Sequence, residues 1–435
     1  MKRSLRIVLL IVGSVGDLYP ILALGQGLQE RGHIVTIATQ SIFQRNVREL
    51  GLNFAPLSGN HQAFLQSEAG ERFILGKYGL FESFKPFKDE LAQHLEEAWN
   101  ICQDAEAVGF AGISYWPISI IEKLEIPCFF LPLFPINPTR QFPWLGFDRV
   151  DRKPGFIKGL INLLGYYLIE FVIWQRYQGV INTFRKESLK LPPVPWLGYR
   201  FYPPLRKKMQ GIPLLYRFSP QLLTAASDWA ACPPTYMPGF FFLANQRAYV
   251  PPSALTEFIN AGPPPIYIGF GSMVSLDPEG LTQIIIKVVE CLGKRAVLLS
   301  GWAGLGQQAL PNSIFLIDNV PHDWLFPQMS VVVHHGGSGT MAAAMKAGIP
   351  QVTVPFFFDQ PPLGQRLAAL GVSPEPIPYS KLSVEALAKQ IAIAATDLDM
   401  RNRAKAIAQH IRAENGVQNA IDILSKYFSK PSSPV

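Results

Sequence analysis

The stretch RIVLLIVGSVGDLYPILALGQGLQERGHIVTIAT, residues 6–39, decides the fold. Its apolar run Ile7–Val12 has the composition of a strand buried on both faces. A small-residue loop, GSVGDLYP (13–20), follows, then ILALGQGLQERGH (21–33) with apolar residues at helical spacing, then a second apolar strand at 34–39. Strand, helix and strand within about 35 residues make a βαβ unit on a parallel sheet. Lys2, Arg3 and Arg6 also suit the head of a secretory signal. The apolar core is short for one, however, carries no A-x-A cleavage site and runs straight into Gly-Ser-Val-Gly-Asp, so the run reads as a first strand.

Outward from that unit the alternation continues, with strands expected at VGFAGIS (108–114) and PCFFLPL (127–133). A second series starts at PPPIYIGFGSM (263–273), has a helix over 281–293, and sets strands at 295–302, 313–320, 331–337 and 351–357. A chain of 435 residues exceeds what one core supports. The fold class is therefore α/β, two facing Rossmann-like doubly wound parallel-sheet domains with a ligand cleft at the carboxyl ends of both sheets. Between them, 192–265 is rich in Pro and aromatics and reads as connection and rigid loops. Residues 156–180 form an amphipathic helix, with Phe156, Leu160, Leu163, Leu164, Tyr167, Phe171 and Trp174 on one face; it reads first as a core helix and second as a face for peripheral membrane contact.

Composition narrows the classes. Apolar residues are 48% and charged residues 16%, which excludes disorder. Four cysteines without a CxxC pair indicate neither a disulfide framework nor a zinc site, and they fit a cytoplasmic setting. Lys plus Arg exceeds Asp plus Glu by 39 to 32, yet no dense basic block marks a nucleic-acid arm, and no window of about 20 residues is free of charge as a membrane span requires.

The chemistry concentrates in VVVHHGGSGTMAAAMKAGIP (331–350). A buried strand ends in His334-His335, then small residues, then a helix that can start near Thr340. Backbone N–H groups at such a turn, helped by the helix dipole, suit a phosphate or diphosphate, to which His335 can donate. The pattern is neither a Walker loop nor GxGxxG, which argues against an NTPase or a dehydrogenase. GFGSM (269–273) repeats the logic and offers Ser272, while VPFFFDQPP (354–362) sets Asp359 and Gln360 past a strand end, where carboxylate and amide can hold vicinal hydroxyls. In the first loop Ser14 and Gly16 resemble a phosphate turn but lack the third glycine of the dinucleotide fingerprint. Asp17 there serves either as a helix cap or, opposite a phosphate, as a general base.

With these residues the chain resembles the sterol glucosyltransferase branch of the nucleotide-sugar glycosyltransferases of GT-B architecture. The likeness is strongest over 319–378, is shared by 13–39, and extends to MRNRAKAIAQHIRAENGVQNAI (400–421). It implies an N-terminal acceptor-binding domain over 1–235, a linker over 236–262, a UDP-sugar domain over 263–410, and a closing helix within 411–435 that packs back on the N-terminal domain. It implies UDP-glucose as co-substrate and a lipophilic hydroxyl acceptor such as a sterol, hopanoid or carotenoid, with no metal, no other cofactor and no nucleic acid. By the same likeness His335, Gly337, Ser338, Gly339 and Thr340 grip the diphosphate and Ser272 touches phosphate. Asp359 with Gln360 holds glucose, Trp302, Val320 and His322 flank the nucleoside, and Asp17 is the base. Two departures stand out: Val15 where the family usually has Arg, and the lack of the usual aromatic near Leu363, after the Asp359-Gln360 pair. The aromatics Phe81, Phe84, Trp116, Phe142, Trp144 and Trp174 suit a greasy acceptor or a core. Two other readings share the pattern: a UDP-sugar epimerase, and a non-catalytic nucleotide-sugar-binding protein of the membrane surface.

Overall fold

The computed structural model describes residues 4–74, 88–112, 116–147, 154–231, 233–244, 249–274 and 277–429; Phe81 and Phe84 lie outside them. The chain divides into two compact units. One comprises Met1–Ala63, Gly76–Leu243 and Asn415–Val435, the other Phe64–Leu75 and Ala244–Glu414.

The first unit is built on seven parallel strands: β1 (Arg6–Ile11), β2 (Ile34–Gln40), β3 (Asn53–Leu57), β4 (Ala107–Ala111), β5 (Cys128–Phe130), β6 (Leu214–Leu215) and β7 (Thr235–Tyr236), in the order β3-β2-β1-β4-β5-β6-β7. All five residues Ile7–Ile11 are buried, because helices cover both faces of a parallel sheet. In register, Leu9 lies between Ile37 and Gly109. A Cβ on Gly109 would fall 2.5 Å from the Phe129 ring and 2.7 Å from Leu9, so only glycine leaves room for the aromatic of the neighbouring strand. The crossover helix Val15–Glu30 buries Leu18, Ile21, Leu22, Leu24 and Leu28. The last helix, Gly416–Phe428, returns to this unit: Ile421 packs at Gly27, and Asn419 donates to the Pro238 carbonyl at 2.9 Å.

The segment read as connection and loops proves partly regular. It supplies β6 and β7 and the helices Pro203–Gln210 and Ser253–Asn260. Strands of two residues are too short to show either a period or a run, so composition alone hid them.

The helix read at 156–180 runs from Phe156 to Glu187, and its first half is not a core helix. Phe156, Ile157, Ile161, Leu164 and Leu168 are 55–78% exposed. The side turned inward carries Gly159 and Asn162, whose amide donates to the Arg140 carbonyl at 2.9 Å. The usual polarity of a surface helix is thus inverted here. By length and composition the helix could cross a membrane. Its second half, however, is packed into the unit through Val172, Trp174, Tyr177, Ile181 and Phe184.

The second unit holds five parallel strands, β8 (Ile266–Gly269), β9 (Ala296–Leu299), β10 (Ile314–Ile317), β11 (Val331–His334) and β12 (Gln351–Thr353), ordered β10-β9-β8-β11-β12. Helix Pro278–Leu292 starts where Asp277 caps the Gly280 N–H and proline fills the first turn. Residues of the 64–75 segment pack within this unit, with the Phe73 ring edge-on to Phe357 at 5.0 Å.

The closing helix depends on Gly416, where a Cβ would lie 2.3 Å from the Phe240 carbonyl oxygen, a backbone atom that cannot turn away. Gly416→Ala is expected to cost about 1–3 kcal/mol, read as a lowered urea midpoint with unchanged slope.

Candidate active site

In the first unit the sheet ends on a helix that begins earlier than its apolar spacing suggests. Ser14 is the N-cap and Val15 the first helical residue, so Gly16 and Asp17 lie in the first turn and not in a loop. Asp17 folds back: its Oδ2 accepts from the Ser14 N–H at 2.9 Å and the Ser14 hydroxyl at 3.0 Å. This is the carboxylate half of a capping box. A Cβ on Gly13 would meet that oxygen at 2.6 Å, so glycine at this position admits the carboxylate. Asp17 is therefore a cap, and its side chain still keeps 24% exposure, with Oδ1 directed away from Ser14 towards Arg217 at 3.9 Å. Arg217 also donates from Nη1 to the Asp17 carbonyl at 2.9 Å. Burial pushes His61 below its ordinary range, and the charge of Asp17 opposes that shift.

In the second unit the residues named from sequence gather past the carboxyl ends of one sheet. Ser272 follows β8, Trp302 follows β9, Val320 and His322 follow β10, His335 to Thr340 follow β11, and Asp359 and Gln360 follow β12. Helix Ser338–Ala347 starts two residues before Thr340, with Gly337 as its N-cap. The N–H groups of Ser338, Gly339 and Thr340 thus belong to a first turn, where no intrahelical acceptor is available. The His335 ring is seated between two glycines: a Cβ on Gly271 would come within 3.0 Å of its Cε1, and one on Gly337 within 2.1 Å of its Nε2. Its buried Nδ1 finds no partner among the described residues. His334 has a fixed tautomer. Its Nδ1 accepts from the Gly336 N–H at 3.0 Å, so Nε2 bears the proton and donates to Gln351 at 2.9 Å, tying β11 to β12.

The Trp302 N–H donates to the Gly271 carbonyl at 3.1 Å, and its ring packs in a small apolar cluster with Leu65, Ile74 and Val274. His322 stacks on Phe326 with ring centres 4.3 Å apart. Phe358, directly before Asp359, adopts φ +59, a left-handed conformation rare for a bulky side chain and a mark of local strain. Gln360 is 4% exposed, its Oε1 accepting from Phe356 N–H at 2.9 Å and its amide contacting the Met273 sulfur at 3.2 Å, so it braces the loop from inside. Among the described residues no group of three or more His, Cys, Asp or Glu converges as metal ligands do.

Two family models match the chain in separate stretches. Residues 7–143 match the glycosyltransferase family 28 N-terminal domain, and 294–425 match the C-terminal domain of erythromycin biosynthesis protein CIII-like proteins. The chain is 35% identical to sterol 3-beta-glucosyltransferase UGT80A2 of Arabidopsis thaliana, over 98% of this chain and 66% of that one. It is 33% identical to UGT80B1 of the same plant, over 98% of this chain and 68% of the relative. The chain belongs to the sterol 3-beta-glucosyltransferase family. The Komagataella phaffii member is 35% identical over 97% of this chain but only 34% of its own length, so this chain spans about two thirds of its plant relatives and about a third of the fungal one. The fold is that of the GT-B glycosyltransferases. The kitacinnamycin glycotransferase superposes with a TM-score of 0.68 at 18% identity over 98% of this chain and 100% of that one. The calicheamicin glycosyltransferase CalG4 does so with 0.67 at 16%, over 99% and 100%.

Arg217 and His61 escaped the sequence reading. Neither belongs to a recognisable motif, and only the return of the chain to the same sheet brings Arg217 to Asp17.

Burial holds His334 and His322 down to about 4 and His335 to about 3, against roughly 6.5 in an unfolded chain. All three are neutral at physiological pH, so His335 serves as a hydrogen-bonding group and not as a cation. Below pH ~6.5 the unfolded chain takes up protons that the folded one refuses, so this stability is complete above 6.5 and falls as pH drops towards 4. The urea midpoint is expected to fall between pH 7 and pH 5, and less steeply in His334→Gln.

Proposed function

We propose that this chain moves glucose from UDP-glucose to the hydroxyl of a lipophilic, sterol-like acceptor, with inversion to a β-glycoside. The observation that carries the acceptor class is a largely apolar cavity inside the first unit. Trp116, Trp144, Trp174, Tyr166, Tyr177 and Ile181 line it, and among the described residues Glu170 and Arg200 bring the only charges to its lining. A rigid aromatic wall with few polar groups suits a fused-ring lipid and leaves a sugar or peptide unsolvated. Of the aromatics named from sequence, Trp116, Trp144 and Trp174 belong to this lining, while Phe142 is core against Trp229.

Asp17 is the general base in this reading. Ser14 holds Oδ2, leaving Oδ1 to take the proton of the acceptor hydroxyl as its oxygen attacks the anomeric carbon. The bond from that carbon to the diphosphate breaks on the opposite face, and UDP carries away the electron pair. The leaving charge is received by the first-turn N–H groups of helix Ser338–Ala347 and its dipole, with Ser272 and His335 beside it and Asp359 at the glucose hydroxyls, while Gln360, turned inward, holds the loop that carries Asp359 and not the sugar. These donors stand in for a metal, so turnover should survive chelation by EDTA. Trp302, Val320 and His322 flank the nucleoside. Membership of the family favours transfer over epimerisation or a non-catalytic role.

The exposed apolar face at Phe156–Leu168 rests on a cytoplasmic membrane surface. Its support is continuity with the cavity, since the helix that carries the face also supplies Tyr166, Tyr167 and Ile169 to the lining.

Asp17→Asn should lower kcat by about 10²- to 10⁴-fold while UDP-glucose binding is retained; turnover within tenfold of wild type removes the base assignment. Ile161→Glu with Leu164→Glu should abolish sedimentation with anionic lipid vesicles and leave transfer to a detergent-dispersed sterol intact. Unchanged sedimentation removes the membrane reading.

A further inference from the structure

We propose that Arg217 is the positioning residue of the Asp17 base, a role that rests on the base reading above. The guanidinium is 4% exposed and reaches Asp17 across 200 residues of sequence. The residue before it is firmly held. The preceding Tyr216 N–H donates to the Tyr236 carbonyl at 2.9 Å, its hydroxyl accepts from the Ile136 and Asn137 N–H groups at 3.0 and 3.1 Å, and its ring stacks on Trp229 at 5.2 Å. From this platform Nη1 holds the Asp17 carbonyl at 2.9 Å and Nη2 stands 3.9 Å from Oδ1.

The donor inventory sets Arg217 apart from Arg185, the buried arginine that braces the fold: Arg185 spends Nε and Nη1 on Pro192, Ser119 and Glu122 and leaves one buried nitrogen, Nη2, without a partner among the described residues. In Arg217 both Nε and Nη2 are buried and find no hydrogen-bond acceptor among the described residues. Burial depresses the guanidinium to about 10, so it remains charged at neutral pH, and Asp17 is the one carboxylate recorded as its ion-pair partner among the described residues. A buried cation with idle donors costs stability and is retained where its charge has a use. Ser14 takes one carboxylate oxygen and Arg217 faces the other, so plane and charge of the carboxylate are set before an acceptor arrives. The first helical turn, Val15-Gly16-Asp17, brings no cation of its own, and Arg217 is the cation that faces the carboxylate among the described residues. His61 is the other titratable group facing Asp17.

The test uses the full chain, UDP-glucose and a 3β-hydroxysterol, with folding of each variant checked by circular dichroism. Arg217→Met, which removes charge and donors, should lower kcat at least tenfold with the UDP-glucose KM within twofold. It should also move the acid limb of kcat/KM up by about one pH unit, the scale of losing a cation some 4 Å from a carboxylate. Arg217→Lys keeps the charge but not the two-point hold, so its acid limb should stay in place while kcat falls several-fold. An unmoved limb in Arg217→Met overturns the proposal, and so does wild-type kcat in Arg217→Lys, the deciding variant if the methionine form does not fold. An active Asp17→Asn removes the base reading itself. An inactive Asp17→Asn beside an unmoved Arg217→Met limb removes only the role given to Arg217.

Discussion

One carboxylate oxygen, Oδ2 of Asp17, accepts both the N–H and the hydroxyl of Ser14, and the first unit is arranged to make that possible. The hydrogen bonds need a helix that starts immediately at the strand end, and they need a glycine at position 13 to admit the carboxylate. The strand can stop there because a parallel sheet exposes all its carboxyl ends on one edge. The same residue thus caps a buried helix and keeps one oxygen turned elsewhere. Capping takes one oxygen of the side chain, which leaves the other for the base role proposed above.

The second unit solves a related problem with different parts. Its strand β11 ends not on an acid but on His334 and His335, which divide the work. His334 spends both ring nitrogens within the protein, on Gly336 and Gln351, and so fixes where the glycine turn begins. His335 lies between Gly271 and Gly337 with one nitrogen left without a protein partner among the described residues. The glycines serve less to loosen the chain than to make room for an imidazole ring. Their close approach sets the first turn of the helix at Ser338 against the end of the sheet.

How much of this could be read from the sequence follows from how each feature is encoded. Strands β1, β2, β4, β8 and β11 are buried on both faces and therefore appear as apolar runs, and the helix after β1 shows its period. Strands β6 and β7, two residues each within a proline-rich stretch, leave no such trace. The position of the candidate residues past strand ends was legible because a strand end is itself a sequence property. Arg217 was not, since its meaning lies in a pairing created by the sheet order. The helix at Phe156 shows the opposite failure. Its period was plain, but a period gives the existence of an apolar stripe and not the direction in which it faces.

That outward stripe bears on how concentration is to be counted. A water-soluble enzyme meets its substrate at a molar concentration in three dimensions, and a sterol has almost none. On the proposed reading, a chain resting on a lipid layer through Phe156–Leu168 would meet its acceptor at a mole fraction within the layer, and dilution of the whole suspension would leave that fraction unchanged. Its saturation would then be governed by the composition of the membrane and not by the amount of lipid in the tube.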